Sequence, residues 1–343
     1  MTLMEKGCEI VSMDVHPEKP WILASHANGN VSIWNYQTQE KEAESRVSDV
    51  KGTDSYGLTH WICSAKFIAR REWIVAGDGN GKIHVLNYNT MTEIKKLQAH
   101  KRGEWVESLA VHPNQPFVLS ASMDNVIRLW NYGKDWQLLW TLTGHDDYVK
   151  HVTFSPDGNT FASASQDCTV KIWSTLDPSQ PNADRPKLIT TLDCGEDTQQ
   201  HAAYYSMGGR QYMITGSLEG PARIWDLQND STVEPADELP GPESEVYGCN
   251  VGVVNSVPDN RNPILITTSG DTGISFLDAA THKPRYDKVC FDLGPAQGFA
   301  HIEVQGKRSL AIILSGGIAI MEMNEDQVRT PATLEHDQEG ISA

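Results

Sequence analysis

The chain has 343 residues, and its 45 acidic residues outnumber its 28 lysines and arginines, giving a formal net charge of −17 at pH 7. This length suits one large β-architecture or two ordinary domains. The acidic balance argues against nucleic acid as a partner and favours a protein or peptide with basic segments. The six cysteines contain no CxxC pair, and the most apolar stretch, 310–323, is too short to span a bilayer.

Three segments share one pattern along the chain: "VSMDVHPEKPWILASHANGNVSIWN" (11–35), "ESLAVHPNQPFVLSASMDNVIRLWN" (107–131) and "KHVTFSPDGNTFASASQDCTVKIWS" (150–174). Each has an alternating apolar run, a turn with proline, a run rich in serine and alanine, a polar turn, and a third run that contains a tryptophan near its end. Alternation with a period of two, bounded by such turns, predicts successive antiparallel strands. Each segment is therefore predicted to form three strands of a small sheet.

Weaker copies of the same pattern occur in the rest of the chain, and the copies are 43 to 52 residues apart. This spacing is typical of the blades of a WD-type propeller, with the excess residues in loops. We therefore predict an all-β fold, a seven-bladed WD-repeat β-propeller, over residues 1–323. The third strands of the seven predicted blades end near Trp34, Leu86, Trp130, Trp173, Trp225, Leu277 and Met321.

The segments between these copies predict how the blades are completed. The intervals 37–60, 175–199 and 227–245 are polar and loop-like, and each must also supply an outer strand. The stretch "EKEAES" within the first interval is a weak helix candidate. The closing strand of the last blade is expected from "TLME" (2–5), and the acidic tail 324–343 is expected to be disordered.

Polar residues recur at fixed positions and resemble the pattern of the WD-repeat family, whose His, Ser, Asp and Trp form a buried hydrogen-bonded network. A nucleophilic triad would occur once, in a pocket, whereas this set recurs at the same register. We therefore predict no enzyme activity, and the sequence indicates neither a metal site nor a cofactor. The two complete sets are His100, Ser120, Asp124 and Trp130, and His145, Ser163, Asp167 and Trp173.

Longer phrases carry a more specific resemblance. "VHPEKPWILAS", "KFIARREWIVAG", "HVLNYNTMTEIKKLQAH" and "GHDDYVKHVTFSPDG" resemble the N-terminal propeller of the beta-prime subunit of coatomer, the coat of Golgi-to-ER transport vesicles. The resemblance is strong over 11–173 and weak beyond. It implies a cytoplasmic protein without a transmembrane segment, at most peripheral on Golgi or vesicle membranes through coat proteins. Because the family's subunit continues into further domains, this chain is expected to be a stand-alone, diverged relative.

In that family, the top face of the propeller binds the C-terminal dilysine signal of membrane cargo; basic residues receive the carboxylate and acidic residues receive the ammonium groups. Here Glu9 and Val11 stand at two of the basic positions. Cys63 replaces an arginine, and one acidic position is occupied by Met123. The resemblance therefore implies that dilysine binding is largely lost. The candidate peptide-binding rim comprises Glu9, Cys63, Glu104, Met123 and Tyr148.

Two functions remain open from the sequence. The first is a non-enzymatic protein–protein interaction scaffold in ER–Golgi vesicle transport. The alternative is a WD-repeat adaptor of a ubiquitin-ligase or signalling complex unrelated to coats, with the insertion 37–60 as its surface. The rim residues could equally be solvated loop residues without a ligand.

Overall fold

A computed structural model describes residues 2–4, 9–47, 61–175, 185–217, 220–228, 235–239, 250–254, 263–269, 273–289, 296–314 and 317–323. In these segments the chain forms seven four-stranded antiparallel sheets that follow one another in sequence. The predicted seven-bladed propeller is thereby confirmed. The predicted tail 324–343 lies outside the described residues.

The chain begins with β1 (Thr2–Met4). Blade one contains β2 (Ile10–Val15), β3 (Trp21–His26), β4 (Asn30–Asn35) and β5 (Glu40–Arg46). Blade two contains β6 (Ile62–Ile68), β7 (Trp73–Asp78), β8 (Lys82–Asn87) and β9 (Thr92–Gln98). Blade three contains β10 (Val106–Val111), β11 (Phe117–Ser122), β12 (Ile127–Asn131) and β13 (Gln137–Leu142). Two short 3-10 helices, Ala69–Arg71 and Tyr132–Lys134, lie in blades two and three.

Blade four contains β14 (Val149–Phe154), β15 (Thr160–Ser165), β16 (Thr169–Ser174) and β17 (Leu188–Asp193). Blade five contains β18 (Gln199–Met207), β19 (Arg210–Ser217), β20 (Ala222–Asp226) and β21 (Asp237–Leu239). Blade six contains β22 (Val251–Val254), β23 (Ile264–Ser269), β24 (Gly273–Asp278) and β25 (Pro284–Val289). Blade seven contains β26 (Ala296–Val304), β27 (Lys307–Leu314) and β28 (Gly317–Glu322), and β1 completes it.

The ring closes in the way that the sequence predicts. Strand β1 pairs antiparallel with β28, with Thr2 opposite Ala319 and Met4 opposite Gly317. The first strands of blades one to six lie against each other around a central channel, from β2 and β6 through to β22, and β26 of blade seven returns to β2. Because the N-terminal strand completes the C-terminal blade, the last sheet does not depend on its own hairpins alone.

Hydroxyl groups join the first strands of neighbouring blades. In each case, a serine of one blade accepts a hydrogen bond from a backbone amide of the next, at 3.1 to 3.2 Å. The apolar sides of the sheets face each other between blades, where they form the core. Together these contacts set the register in which the first strands present their side chains to the channel. The three pairs are Ser12 with Ala65, Ser64 with Leu109, and Ser108 with Val152.

The predicted insertions supply outer strands, as expected. The stretch "EKEAES" is the outer strand β5, so the weak helix interpretation of it is wrong. Pairing with the neighbouring strand β4 explains the strand, and the Glu42 carboxylate accepts a hydrogen bond from the Asn35 side chain across this pair. Lys41 and Glu44 form an ion pair with 2.9 Å between Nζ and Oε2. In the described part of the chain, no helix is long and apolar enough to cross a membrane.

Candidate peptide-binding face around the channel

Blade four contains the polar network that the sequence indicates. The His145 imidazole contacts the Asp167 carboxylate through Nδ1 and the Ser163 hydroxyl through Nε2, each at 2.7 Å. A carboxylate only accepts, so Nδ1 donates to Asp167. The Trp173 indole nitrogen donates to the same Ser163 oxygen at 2.9 Å. The network therefore joins the loop before β14 to strands β15 and β16.

Blade three repeats this geometry with its own residues. The His100 ring lies 2.9 Å from the Asp124 carboxylate and 2.7 Å from the Ser120 hydroxyl, which also accepts from Trp130. Burial lowers the pKa of His100, which keeps its imidazole neutral. In blade three, as in blade four, the network connects parts of the chain that are separate in sequence.

The distances in blade four are those of a nucleophilic triad, but the environment is that of a structural network. Ser163 has no exposed surface, and its oxygen already accepts from the tryptophan. Burial alone would raise the pKa of Asp167, but hydrogen bonds from His145 and Thr169 more than offset this and hold its pKa well below the usual value. A buried serine that no substrate can reach cannot act as a nucleophile on one.

Blades one, two and five join the same strands with other residues. In blade one, His26 and Trp34 both bond the hydroxyl of Ser32, at 2.7 and 2.9 Å. In blade two, His84 lies between two carboxylates, 3.0 Å from Asp78 and 2.6 Å from Glu93. The repeat pattern missed these arrangements because their residues come from other positions of the blade. In blade five, Trp225 donates to Thr215 at 3.0 Å.

The predicted rim residues lie on the face where the chain enters each first strand, which we call the top face. The carbonyl groups of Glu9 and Tyr148 accept hydrogen bonds from Ala27 and Gln166 at equivalent positions of blades one and four. Glu9 is exposed, and Tyr148 is 37% exposed. These two residues therefore occupy corresponding sites at the mouth of the channel.

The other three rim residues differ in depth. Cys63 is buried in the channel wall within β6, and burial raises the pKa of its thiol well above the usual value. Glu104 is half-buried and lies 3.5 Å from Lys101. The amide of Met123 donates to the carbonyl of Trp105, and its side chain is half-buried. Cys63 thus lies below the rim, whereas Glu104 and Met123 flank it.

Two tryptophans at the channel mouth were not singled out from the sequence. Trp61 and Trp105 directly precede the first strands of blades two and three, where their carbonyls accept from Gly79 and Met123. Their ring centroids are 5.4 Å apart and their planes are inclined by 40°. Trp61, Trp105 and Tyr148 therefore follow one another in three neighbouring blades, and we call them the aromatic rim. Alignment of the repeats on the first buried residue of each first strand would have revealed them.

Beneath the aromatic rim, the channel contains paired charges and histidines. The cavity at its centre has a volume of about 550 Å³, and both rim tryptophans line it. Glu107 and Lys150 occupy the same strand position in neighbouring blades and lie 2.8 Å apart. One level deeper, the rings of His151 and His201 contact each other with centroids 3.7 Å apart. Among the described residues, no three His, Cys, Asp or Glu side chains converge to hold a metal ion.

The top face of blades four and five is acidic. Burial is the largest cause of a raised pKa of the Cys168 thiol, and four nearby aspartates raise it further. One of them, Asp167, belongs to the polar network of blade four. We call the other three, Asp147, Asp193 and Asp197, the acidic patch. Asp197 also pairs with Arg223 at 2.8 Å, so Asp147 and Asp193 contribute most of the patch's net charge.

Comparison with known families agrees with this geometry. Residues 2–35, 91–131 and 136–174 match the family described as "WD domain, G-beta repeat". The matched segments end within one residue of Trp34, Trp130 and Trp173, the third-strand tryptophans of the three segments that share the clearest pattern. The fold and the repeats together define this chain as a seven-bladed WD-repeat β-propeller.

Among curated proteins, the chain is similar to coatomer beta-prime subunits. It is 38% identical to "Coatomer subunit beta'-2" of Arabidopsis thaliana over 233 residues, which is 68% of this chain and 23% of that protein. It is 31% identical to "Coatomer subunit beta'" of Homo sapiens over 216 residues, 63% of this chain and 22% of that protein. The chain is thus a diverged WD-repeat propeller similar to coatomer beta-prime, and the match spans less than a quarter of the relatives' length.

Proposed function

We propose that this propeller is a non-enzymatic protein-interaction scaffold that works in ER–Golgi vesicle transport, on the cytoplasmic side of Golgi or vesicle membranes. Its ligand is a peptide segment of a partner protein, bound on the top face, and it does not read dilysine tails. The observation that carries this proposal is the channel mouth, where aromatic surface is accessible and where Glu9, Val11 and Cys63, which stand at the positions that are basic in the related family, provide no cation.

The charges at the mouth support the loss of carboxylate binding. Glu9 would repel a carboxylate, by about 1 to 4 kcal/mol at a separation of ~4 Å for an effective dielectric between water and a protein surface. Cys63 offers a neutral buried thiol instead of a cation. The nearby Lys150 is already paired with Glu107. A swing of a few kcal/mol corresponds to a loss of about 100-fold or more in affinity.

A calorimetric titration tests this proposal with a peptide that ends in Lys-Lys-x-x and has a free carboxylate. We expect no binding at micromolar concentrations. The matched gain-of-function variant combines Glu9→Arg with Val11→Lys, which returns positive charge to the two positions where the related family is basic. Binding that rises in this variant supports the proposal, and micromolar binding by the unmodified protein contradicts it.

Affinity purification with mass spectrometry tests the cellular role. Recovery of coat subunits together with membrane fractions supports a function in vesicle transport. Recovery of ubiquitin-ligase or kinase components, without coat subunits, supports the alternative of a WD-repeat adaptor. Purification in parallel with the Trp105→Ala variant shows whether a captured partner depends on the top face.

A further inference from the structure

We propose that the aromatic rim and the acidic patch bind an internal, arginine-bearing segment of a partner protein, with a guanidinium group stacked on the aromatic rim on the side of the acidic patch. This inference rests on the proposed function, because it specifies the ligand of the same top face. It differs from the dilysine mode of the related family in requiring neither a chain terminus nor a lysine.

The aromatic rim provides the contact surface. Trp61 and Trp105 are half-buried, and both border the central cavity, so part of each indole remains accessible from the channel mouth. Tyr148 is one of the few large apolar or aromatic side chains that are more than one-third exposed among the described residues. Aromatic side chains bury a large area at little cost in conformational entropy, which makes them frequent binding anchors. An extended segment that crosses the mouth would contact rings from three neighbouring blades.

The charges around the rim select a cation for this surface. Asp147 directly precedes Tyr148, and Asp193 ends β17, the outer strand of the same blade. Within the protein itself, the Lys150 ammonium already lies 5.7 Å from the centre of the Tyr148 ring. A cation attracted by the carboxylates can thus rest on an aromatic face here, as the quadrupole of the ring favours.

The charges on the side of the rim next to Trp105 determine the orientation of the bound segment. Lys101 and Arg102 are exposed in the turn that precedes Trp105, so this side repels a positive charge. Blades four and five carry the acidic patch, so they attract it. The basic side chain of the ligand is therefore expected to point from the tryptophans towards blade four.

Arginine fits this arrangement better than lysine does. The guanidinium is planar, stacks on indole rings, and presents a fork of donors to carboxylates, whereas the ammonium is a compact, strongly hydrated charge. The ligand needs no terminal carboxylate, because Glu9 and Cys63 provide no cation that would bind one.

Fluorescence anisotropy with a labelled Gly-Arg-Gly-Arg-Gly peptide, blocked at both ends, tests this inference. The matched probe replaces each arginine with citrulline, which keeps the shape and removes the charge. We expect the citrulline peptide and the Trp105→Ala variant each to weaken binding about tenfold or more. A lysine peptide should bind severalfold more weakly than the arginine peptide, and added salt should weaken binding of the arginine peptide.

A second variant removes charge without removing hydrogen bonds. Asp147 and Asp193 each accept a backbone hydrogen bond, from Tyr148 at 2.7 Å and from Gly195 at 2.9 Å, and an asparagine can still accept it. We expect Asp147→Asn with Asp193→Asn to weaken binding about fivefold and to reduce its salt dependence. The control Glu18→Gln neutralises an exposed charge in the turn between β2 and β3, remote from the rim, and should leave binding unchanged.

Equal binding of the arginine and citrulline peptides overturns this inference, as does unchanged binding by a folded Trp105→Ala protein. If Trp105→Ala does not fold, the result for the two aspartates decides. Should the purified partner depend on Trp105 but contain no arginine in its bound segment, only this inference fails. Should no partner depend on the top face at all, the proposed function fails with it.

Discussion

Blades three and seven share one backbone arrangement but differ in what joins their second and third strands. In blade three, Trp130 donates to Ser120, whose oxygen also bonds His100. At the same register in blade seven stand Met321 and Ile312, both buried in an apolar cluster. A blade therefore needs its strand ladder and a filled interior, while the polar network is one of several ways to meet those needs.

The difference also predicts how each blade fails. When part of a buried apolar side chain is removed, the free energy of unfolding falls in proportion to the volume of the cavity that is left. Removing one member of a buried polar network lowers the free energy of unfolding by more, because the remaining groups stay buried, away from water, without a hydrogen-bond partner. The following predictions test this contrast, from the largest expected effect to the smallest.

Blade seven has apolar side chains at the network position, so it should depend most on its closing strand. Deleting residues 1–7 removes β1 and leaves the edge of β28 unpaired. We expect the free energy of unfolding to fall by about 4 kcal/mol, from lost backbone hydrogen bonds and newly exposed apolar surface. Thermal unfolding measures this, with deletion of 337–343 as the control. An unchanged melting temperature would mean that β1 does not hold the ring closed.

Blade two should be the most sensitive to a single substitution. His84 lies between two carboxylates, of which Asp78 is only 1% exposed. His84→Ala removes the partner of Asp78 Oδ2, while Oδ1 keeps its hydrogen bonds from the backbone amides of Asn80 and Lys82. We expect this to cost about 3 kcal/mol in urea unfolding. Adding Asp78→Asn to this variant should recover part of the loss. If the double variant is no more stable than the single one, the carboxylate oxygen that lost its partner is not the cause.

Removing a hydroxyl group from blade four should lower the free energy of unfolding by more than removing a methyl group from blade seven. Ser163→Ala removes the partner of both the His145 ring and the Trp173 indole, at an expected cost of about 2 to 3 kcal/mol. Ile312→Val in blade seven should cost about 1 kcal/mol. The two urea midpoints compare the blades directly. A Ser163→Ala protein as stable as the Ile312→Val protein would refute the contrast.

The networks should also make stability dependent on acid. The pKa of Asp167 is lower in the folded protein than its usual value, so the ionised carboxylate stabilises the fold above about pH 4, and this contribution disappears as the pH falls. Between pH 5 and pH 2, the free energy of unfolding should fall by about 1 to 2 kcal/mol less in the Asp167→Asn variant than in the unmodified protein. Parallel pH profiles of the melting temperature in the two proteins would contradict this assignment.

Blade five should show the smallest effect. Trp225 donates to the Thr215 hydroxyl, and Thr215→Val keeps the shape of the side chain while removing that acceptor. One unsatisfied indole donor should cost about 1 kcal/mol. Thermal unfolding checks this value against Ser163→Ala, which removes a hydroxyl with two partners. A larger loss in blade five than in blade four would show that the number of partners does not set the cost.

Local patterns in the sequence determined most of the fold. Alternation with a period of two predicts each strand, and the recurring tryptophan or its apolar replacement gives the seven blades their order. The stretch "TLME" is predictable as the closing strand, because a ring needs one more strand than the last repeat provides. The error at "EKEAES" has a local cause: its residues favour a helix, while pairing with β4 makes it a strand.

Only the tertiary structure decided which side chains meet. Trp61 and Trp105 lie in different repeats, and the packing of neighbouring blades two and three brings their rings together at one level of the channel. Packing between neighbouring blades also joins Glu107 to Lys150 and buries Cys63 below the rim, although the sequence indicated a rim residue. Repetition along a chain determines what each blade is, because strand pairing is local. What the channel mouth can bind depends on contacts between blades, which no single repeat contains.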